Sequence, residues 1–441
     1  MPWRSAAPIT SMVSTITGQS DVSSHAGHGV GRAFPYTPWQ PAGKPSWSAL
    51  LAGSGFQDAL LEMQSLGLRI TEAPHPGSVP YAVLNPHRSD TRRWLMPLRP
   101  RAIRVGSLAM IQPVRLGARL LRRAAIRTGG LGLPTLWSSG RVHISGVDRT
   151  AAAVGSRATH GAFFTGTAGP HRKLVAQLMD ARGNILGYVK VSRTAAASAL
   201  LRHEAFVIGQ LQLLDIESAW IPSVLFHGTV GDATVLATDT VKTLRSQCPA
   251  RLQGVHVAFL SELTARTAST WAMPGEALLS GWSTRIRRLT DALSAEWRER
   301  FRRALECLAD APGLVAPKGL AHGDFTPTNT FRHRGRLCVF DWEYAGGAYP
   351  ADFDLVRFLG CLPRLRNVRP SRRGVAIARI LMDEFGRTPA EANRRVVAFL
   401  CAYALRGADR QPRVPGEHIS WEDGGDQARM LDSLMGRVSG S

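Results

Sequence analysis

From residue 150 onward the chain changes its hydrophobic period partway along. Between Gly161 and Val191 three apolar runs of strand length are separated by the turn signals Gly169-Pro170 and Arg182-Gly183-Asn184. A helical stretch from Ala195 to Leu214 follows, and then two further strand-like runs, Ile221 to Gly228 and Ala233 to Val241, joined through Gly231-Asp232. Together they predict a five-stranded antiparallel sheet with one helix. Past Lys242 the period becomes helical. Ala295 to Ala309 places Trp297, Phe301, Leu305 and Leu308 on one stripe with Arg and Glu between them, the pattern of a helix packed on a core. Thr388-Pro389-Ala390-Glu391 has the form of a capping box with Pro at the first helical position, opening a helix through Leu405. One short β excursion interrupts this region: Arg334-Gly335-Arg336 reads as a tight turn and Leu337 to Phe340 as a buried strand. The expected class is α+β, a small antiparallel lobe followed by a mainly α-helical one.

A chain of 441 residues is long for one domain and suits two lobes plus an extension. The expected division is a variable, largely disordered segment over 1–75, an Arg-rich extension over 76–150, the sheet lobe over 151–241 and the helical lobe over 242–441. Residues 1–47, rich in Ser, Thr, Gly and Pro with little periodicity, carry the expectation of disorder. Residues 88–127 hold eleven Arg and a single acid, Asp90, and within them Gly106 to Ile126 mixes Leu, Ile and Val with Arg. Two readings stay open for this stretch: a basic amphipathic helix resting on an anionic membrane surface or a partner, or an Arg-rich solvated face.

The net charge of +21 does not by itself indicate a nucleic-acid partner. Of 54 basic residues only five are Lys (44, 173, 190, 242 and 318), leaving 49 Arg, so the bias runs along the whole chain instead of marking one surface. Neither zinc-finger spacing nor an RNA-binding aromatic motif occurs, which leaves only a nonspecific polyanion affinity at low salt. Five scattered cysteines without a C-x-x-C pair read as reduced thiols of a cytoplasmic protein. The N-terminus lacks the apolar core of a signal peptide, and no apolar run reaches membrane-spanning length. A Walker A loop is also missing, since Gly43-Lys44 is followed by Pro45.

The chemistry is concentrated in Ala321 to Gly347, where Asp324, Asn329 five residues on, and Asp341 after the apolar strand fall in one short stretch. Moving a phosphoryl group needs a carboxylate to hold the attacking hydroxyl and oxygen ligands for the magnesium that neutralises the phosphates. Asp324 fits the first role, and Asn329 and Asp341 the second. A carboxylate ending a buried strand also calls for a cation to pair with it. Upstream, Lys190 lies between two valines in a strand, and Glu204 follows fourteen residues later in the helical stretch. Lys190 would hold phosphates as a point charge and Glu204 would hold Lys190. Gly166 and Gly169 offer a sparse phosphate-covering loop whose backbone amides could approach a phosphate, with a plain hairpin turn as the competing reading.

These residues carry a resemblance. His322-Gly323-Asp324 with Asn329, and Asp341-Trp342-Glu343, are similar to the H-G-D-x-x-x-x-N loop and the D-W-E segment of the aminoglycoside phosphotransferase and choline kinase group. The resemblance covers about Gly155 to Gly407. It implies a protein-kinase-like two-lobed fold and an ATP- and Mg²⁺-dependent kinase acting on a hydroxyl of a small molecule, of the aminoglycoside, sugar or amino alcohol class. It also implies that His322 supports the loop and that Asp354, in Pro350 to Leu355, braces it. Backbone groups from Thr238 to Val241 would form the hinge that binds the nucleotide base. A cationic acceptor would need clustered carboxylates, which Glu417, Glu422, Asp423 and Asp426 could supply, although a solvated acidic segment accounts for them equally well. The alternative from another class is a non-catalytic nucleotide-binding scaffold of the same fold.

Overall fold

Strict alternation along the strands decides which side chains reach the cleft. In the computed structural model the described residues are 54–85, 92–113, 116–129, 138–167, 169–411, 413, 416–421 and 423–438. The N-terminal lobe contains α1 (Ser54–Ser65), β1 (Arg69–Thr71), β2 (Val79–Leu84), β3 (Trp94–Pro97), α2 (Arg101–Ser107), α3 (Leu116–Arg127), β4 (Ser138–Ser145), α4 (Val147–Ala153), β5 (His160–Phe164), β6 (Leu174–Met179), β7 (Ile185–Ser192) and α5 (Ala195–Gln212). After the short β8 (Ala219–Trp220), the hairpin β9 (Val224–Val230) and β10 (Ala233–Asp239) completes it. On β7, Val189 and Val191 are fully buried against Ala176 and Val235, so Tyr188 and Lys190 must emerge on the opposite face.

Among the described residues the sheet has nine strands in the order β1-β4-β2-β3-β5-β6-β7-β10-β9, and each of these pairings is antiparallel. The five strands expected from the sequence form one side of it. The other four come from residues 69–145, so the N-terminal extension is not a separate appendage. Trp94 and Leu95 of β3 pair with Phe164 and Phe163 of β5, and the buried Tyr81 hydroxyl donates to the Gly161 carbonyl at 2.9 Å. Tyr81 and Phe163 also meet at 5.9 Å between ring centroids. Each such aromatic burial is worth about 2 kcal/mol or more.

Two expectations for this region need correction. Residues 54–75, expected within a largely disordered segment, hold α1 and β1, and Phe56, Ala59 and Met63 of α1 are buried in the core of the sheet. Disorder over residues 1–47 lies outside the described residues. The amphipathic-helix reading of Gly106 to Ile126, one of the two left open, gives way to two helices, α2 and α3, separated by a 3₁₀ turn and Pro113. The arginines of these two helices largely serve the fold: Arg104 donates to the Leu98 and Gly129 carbonyls, Arg119 to those of Pro113 and Cys248, and Arg122 to those of Leu108 and Leu244.

The C-terminal lobe is mostly helical: α6 (Gly254–Trp271), α7 (Gly275–Leu289), α8 (Ala295–Ala309), α9 (Phe353–Cys361), α10 (Pro370–Phe385), α11 (Pro389–Asp409) and α12 (Gly424–Val438). The capping box at Thr388 is present, with Glu391 N–H donating to the Thr388 hydroxyl and Thr388 N–H to the Glu391 carboxylate. Phe301 and Leu308 of α8 are fully buried, while Trp297 and Leu305 pack at the margin of the same core. A small sheet, β11 (Thr330–His333), β12 (Arg336–Val339) and β8, presents the segment that follows it to the cleft; β8 runs parallel to β12. Among the described residues no helix is long and apolar enough to cross a membrane.

Candidate active site

A cavity of about 850 Å³ lies between the two lobes. Lys190 enters it from β7, and its ammonium donates to both carboxylate oxygens of Glu204 on α5, at 2.6 and 2.7 Å. The same nitrogen donates to Asp341 Oδ1 at 2.5 Å, so one cation joins the sheet, the α5 helix and the segment after β12. Burial works against the charge on Lys190, but Asp341 and Glu204 outweigh it and raise its pKa above the ordinary lysine value. Burial likewise opposes the Asp341 charge, and Lys190 and Lys173 overcome it, bringing the carboxyl down to about 2. Asp341 sits at φ 73°, in the left-handed region, which costs on the order of 1 kcal/mol or more in a non-glycine residue. Beside it, Lys173 on the β5–β6 connection pairs with the buried Glu343, and burial brings the Lys173 ammonium down to about 8.

The 322–329 loop is held from behind. His322 is fully buried and does not line the cavity; its ring meets Trp342 at 4.5 Å, its Nε2 lies 3.0 Å from the Phe340 carbonyl, and its Nδ1 accepts the Asp324 N–H at 3.2 Å. Asp354 at the start of α9 accepts the His322 and Gly323 amides at 2.6 and 3.0 Å, the bracing that the sequence suggested for it. Gly323 is at φ 78°, and a Cβ there would collide with the Tyr344 carbonyl, so no other residue fits. Phe325 stacks on Phe259 at 5.7 Å and anchors the loop in the helical core.

So anchored, the loop delivers Asp324 to the cavity. Asn329 Nδ2 donates to the Asp324 carbonyl at 3.0 Å and to Oδ2 at 3.1 Å, and the Arg357 guanidinium reaches Oδ1 at 2.8 and 3.0 Å. Arg357 was not apparent from the sequence. Burial opposes its charge, and Asp324 leads the interactions that push its pKa well above the usual value.

Gly166, Thr167 and Gly169 line the cavity in the β5–β6 turn. Gly166 is at φ 80°, and a Cβ would strike the Lys173 carbonyl, so the backbone is pressed close there. At the expected hinge Thr238 lines the cavity, as do Asp239, Thr240 and Lys242, but Val241 does not. Val241 follows the end of β10 at Asp239, in the irregular segment between the lobes. The N-terminal extension reaches the same end: Met110 and Gln112 line it, and Gln112 accepts from Lys242 Nζ at 2.5 Å and donates to the Thr328 carbonyl at 3.2 Å. Lys242 is buried between the Tyr188 and Phe340 rings, at 5.1 and 5.7 Å from their centroids. Burial brings its ammonium down to about 7.

The carboxylates considered for a cationic acceptor do not converge. Glu417 is exposed and off the cavity, Asp426 pairs with Arg429 and Arg373, Glu422 lies outside the described residues, and Asp423 alone lines the cavity.

The donor set suits a hard divalent cation. Glu204, Asp341 and Glu343 bring carboxylate oxygens within 4.8 Å of one another, and the Asn329 side-chain oxygen remains available because the amide nitrogen makes the bonds to Asp324. Oxygen-only ligation of this kind fits Mg²⁺. Lys190 already engages Glu204 and one oxygen of Asp341, and Lys173 pairs with Glu343.

Residues 243–399 match the sequence profile of the phosphotransferase enzyme family. No curated protein sequence matches the chain. Among solved structures, a thermostable mutant of aminoglycoside phosphotransferase APH(4)-Ia, in a ternary complex with ADP and hygromycin B, aligns at 12% identity and TM-score 0.44, covering 67% of this chain and 98% of its own. ADP-bound aminoglycoside phosphotransferase APH(2'')-Ib aligns at 17% identity and TM-score 0.38, covering 60% and 90%. The gentamicin complex of APH(2")-IIa aligns at 15% and 0.39, covering 63% and 92%.

Proposed function

With a helical lobe matching the phosphotransferase enzyme family over residues 243–399 as the premise, we propose that the chain transfers the γ-phosphoryl group of ATP, with Mg²⁺, to a hydroxyl of a small molecule. The observation that carries this reading is the junction of Lys190 with Glu204 and Asp341 in the same cavity as Asp324 and Asn329. Lys190 would hold the α/β-phosphates and Glu204 would keep it extended. Asp341 and Asn329 would hold the metal, which neutralises phosphate charge when bound. Asp324 would orient the acceptor hydroxyl and take its proton. Arg357 and Asn329 occupy one oxygen each, and this fixes the carboxylate direction. His322 would serve the loop and stay clear of the reacting atoms. The turn holding Gly166 and Gly169 would lie over the phosphates, and Thr238, Asp239, Thr240 and Lys242, with Gln112 and Tyr188, would surround the base.

Thermal unfolding with and without Mg-ATP, beside Asp341→Ala, tests the nucleotide site. A ligand bound only to the folded state at about 100 times its Kd adds about 2.7 kcal/mol of stability. The wild type should melt higher with Mg-ATP and the variant should lose that rise. If saturating Mg-ATP leaves the wild-type Tm unchanged, the nucleotide-binding reading falls, and the non-catalytic nucleotide-binding scaffold falls with it. Binding without turnover for any acceptor would favour that scaffold.

The five unpaired cysteines suit a reducing, cytoplasmic setting. Contact with an anionic surface now rests on α3 alone, where Leu116, Leu120 and Leu121 stay exposed beside the exposed Arg123 and Arg127. Co-sedimentation with phosphatidylserine vesicles, lost in Leu116→Glu/Leu120→Glu, is the expected result; equal recovery with neutral vesicles would sink it.

A further inference from the structure

One end of the cavity contains cations that have no carboxylate partner among the described residues. Tyr403, Arg406, Gly407 and Arg410 all line the cavity, the first three on one face of α11 and Arg410 at its C-cap, one turn further on. The Arg410 guanidinium lies 3.8 Å from the centre of the Tyr344 ring. Among the described residues it makes no side-chain hydrogen bond and no ion pair. Arg406 is stacked between rings, 4.8 Å from Tyr403 and 5.1 Å from Tyr344, and donates to the Gly323 carbonyl, again without a carboxylate. From the opposite lobe His171 lines the same cavity, and both of its ring nitrogens are buried without a hydrogen-bond partner.

A guanidinium has five N–H donors, and leaving them unmet beside a cavity is unfavourable unless solvent or a ligand meets them. The carboxylates nearby do not compensate. Asp324 is committed to Arg357 and Asn329, and Asp423 is exposed at the rim.

Building on the phosphotransferase reading, we propose that the acceptor carries an anionic group, a carboxylate or a phosphate, which Arg410 binds while Asp324 addresses its hydroxyl. Arg406 positions the loop from behind and adds to the positive field, Tyr344 and Tyr403 form flat walls that hold both guanidinium planes, and His171 closes the site from the sheet lobe. Among the described residues a polycationic acceptor would meet two arginines without a carboxylate partner and the exposed Asp423, so this site disfavours an aminoglycoside.

The test is calorimetric titration of the full chain, saturated with Mg-AMP-PNP, with a matched three-carbon set: glycerate, glycerol 3-phosphate and glycerol, beside gentamicin. At least one anion should bind about tenfold or more tighter than glycerol, and Arg410→Gln should weaken it by about tenfold or more. Arg410→Lys should recover part of the loss, which a merely structural defect would not do. Comparing glycerate with glycerol 3-phosphate separates carboxylate from phosphate recognition. Gentamicin binding as tightly as the anions, anions no tighter than glycerol, or anion affinity unchanged in Arg410→Gln would each overturn the proposal. Failure of the phosphotransferase reading appears separately, as absent Mg-AMP-PNP binding; the Arg410-dependent anion affinity is then read on the nucleotide-free protein.

Discussion

The two ends of the cavity treat positive charge in opposite ways. At the Lys190 end each ammonium has its carboxylate: Lys190 has Glu204 and Asp341, and Lys173 has Glu343. At the α11 end Arg406 and Arg410 rest on tyrosine rings, which hold a cation in place without cancelling it. A neutralised network fixes geometry, and its charges can be redistributed when phosphates and a metal arrive. Unneutralised arginines keep their attraction for an incoming anion. Lys242 is a third arrangement, a buried ammonium set between two rings and an amide, with the Cys248 thiol and the Arg122 guanidinium near enough to act on its charge.

Breaking this contrast at its centre should give the largest effect. Asp324→Asn should lower kcat by about 10²- to 10⁴-fold while Mg-ATP affinity stays close to wild type, measured as acceptor-stimulated ADP release beside nucleotide titration. Turnover at the wild-type rate would remove Asp324 from the proton-accepting role. Lys242→Met probes the unpaired buried ammonium through pH. Its folded pKa, about 7, lies below the 10.5 of an ordinary lysine, so between those values the unfolded chain binds more protons and stability rises with pH. The contribution is on the order of a few kcal/mol across that window. Denaturant titrations from pH 6 to 10 should show a shallower rise in the variant and greater stability at pH 6; parallel curves would contradict it. The smallest effect is a control away from the cavity. Thr388→Ala removes the cap of α11 and should cost about 1 kcal/mol, leaving the preference between anionic and neutral acceptors unchanged. A changed preference would mean that α11 stability, and not Arg410 itself, governs acceptor choice.

Much of the Lys190 end was legible in the sequence because its residues lie at short, fixed spacings. Asp324, Asn329 and Asp341 fall within one loop and hairpin, and Lys190 and Glu204 within one strand and the following helix. The α11 end was not legible. Arg406 and Arg410 are two of 49 arginines in a chain whose 54 basic residues include only five lysines, so neither stands out by type. One signal was present: Arg406 interrupts a helix whose neighbours, Ala404, Leu405 and Ala408, are buried. Arg357 is hidden similarly, within α9 between Val356 and Phe358, both fully buried. Strands β1 to β4 escaped notice for another reason. β1 has three residues and β3 four, β2 contains Pro80, β3 ends at Pro97, and β4 opens on Ser-Ser-Gly-Arg, so short length, Pro and Gly blur the strand pattern.

The continuity of the sheet across β3 and β5 has a practical consequence for anyone cutting the gene. A recombinant fragment begun near residue 151, where the kinase-like lobe was expected to start, would strip β3 from β5 and leave Phe163 and Phe164 on a raw edge. Bare edges of that kind template pairing with other chains. Such a fragment would be expected to aggregate, and its insolubility would say nothing about the chemistry of Asp324.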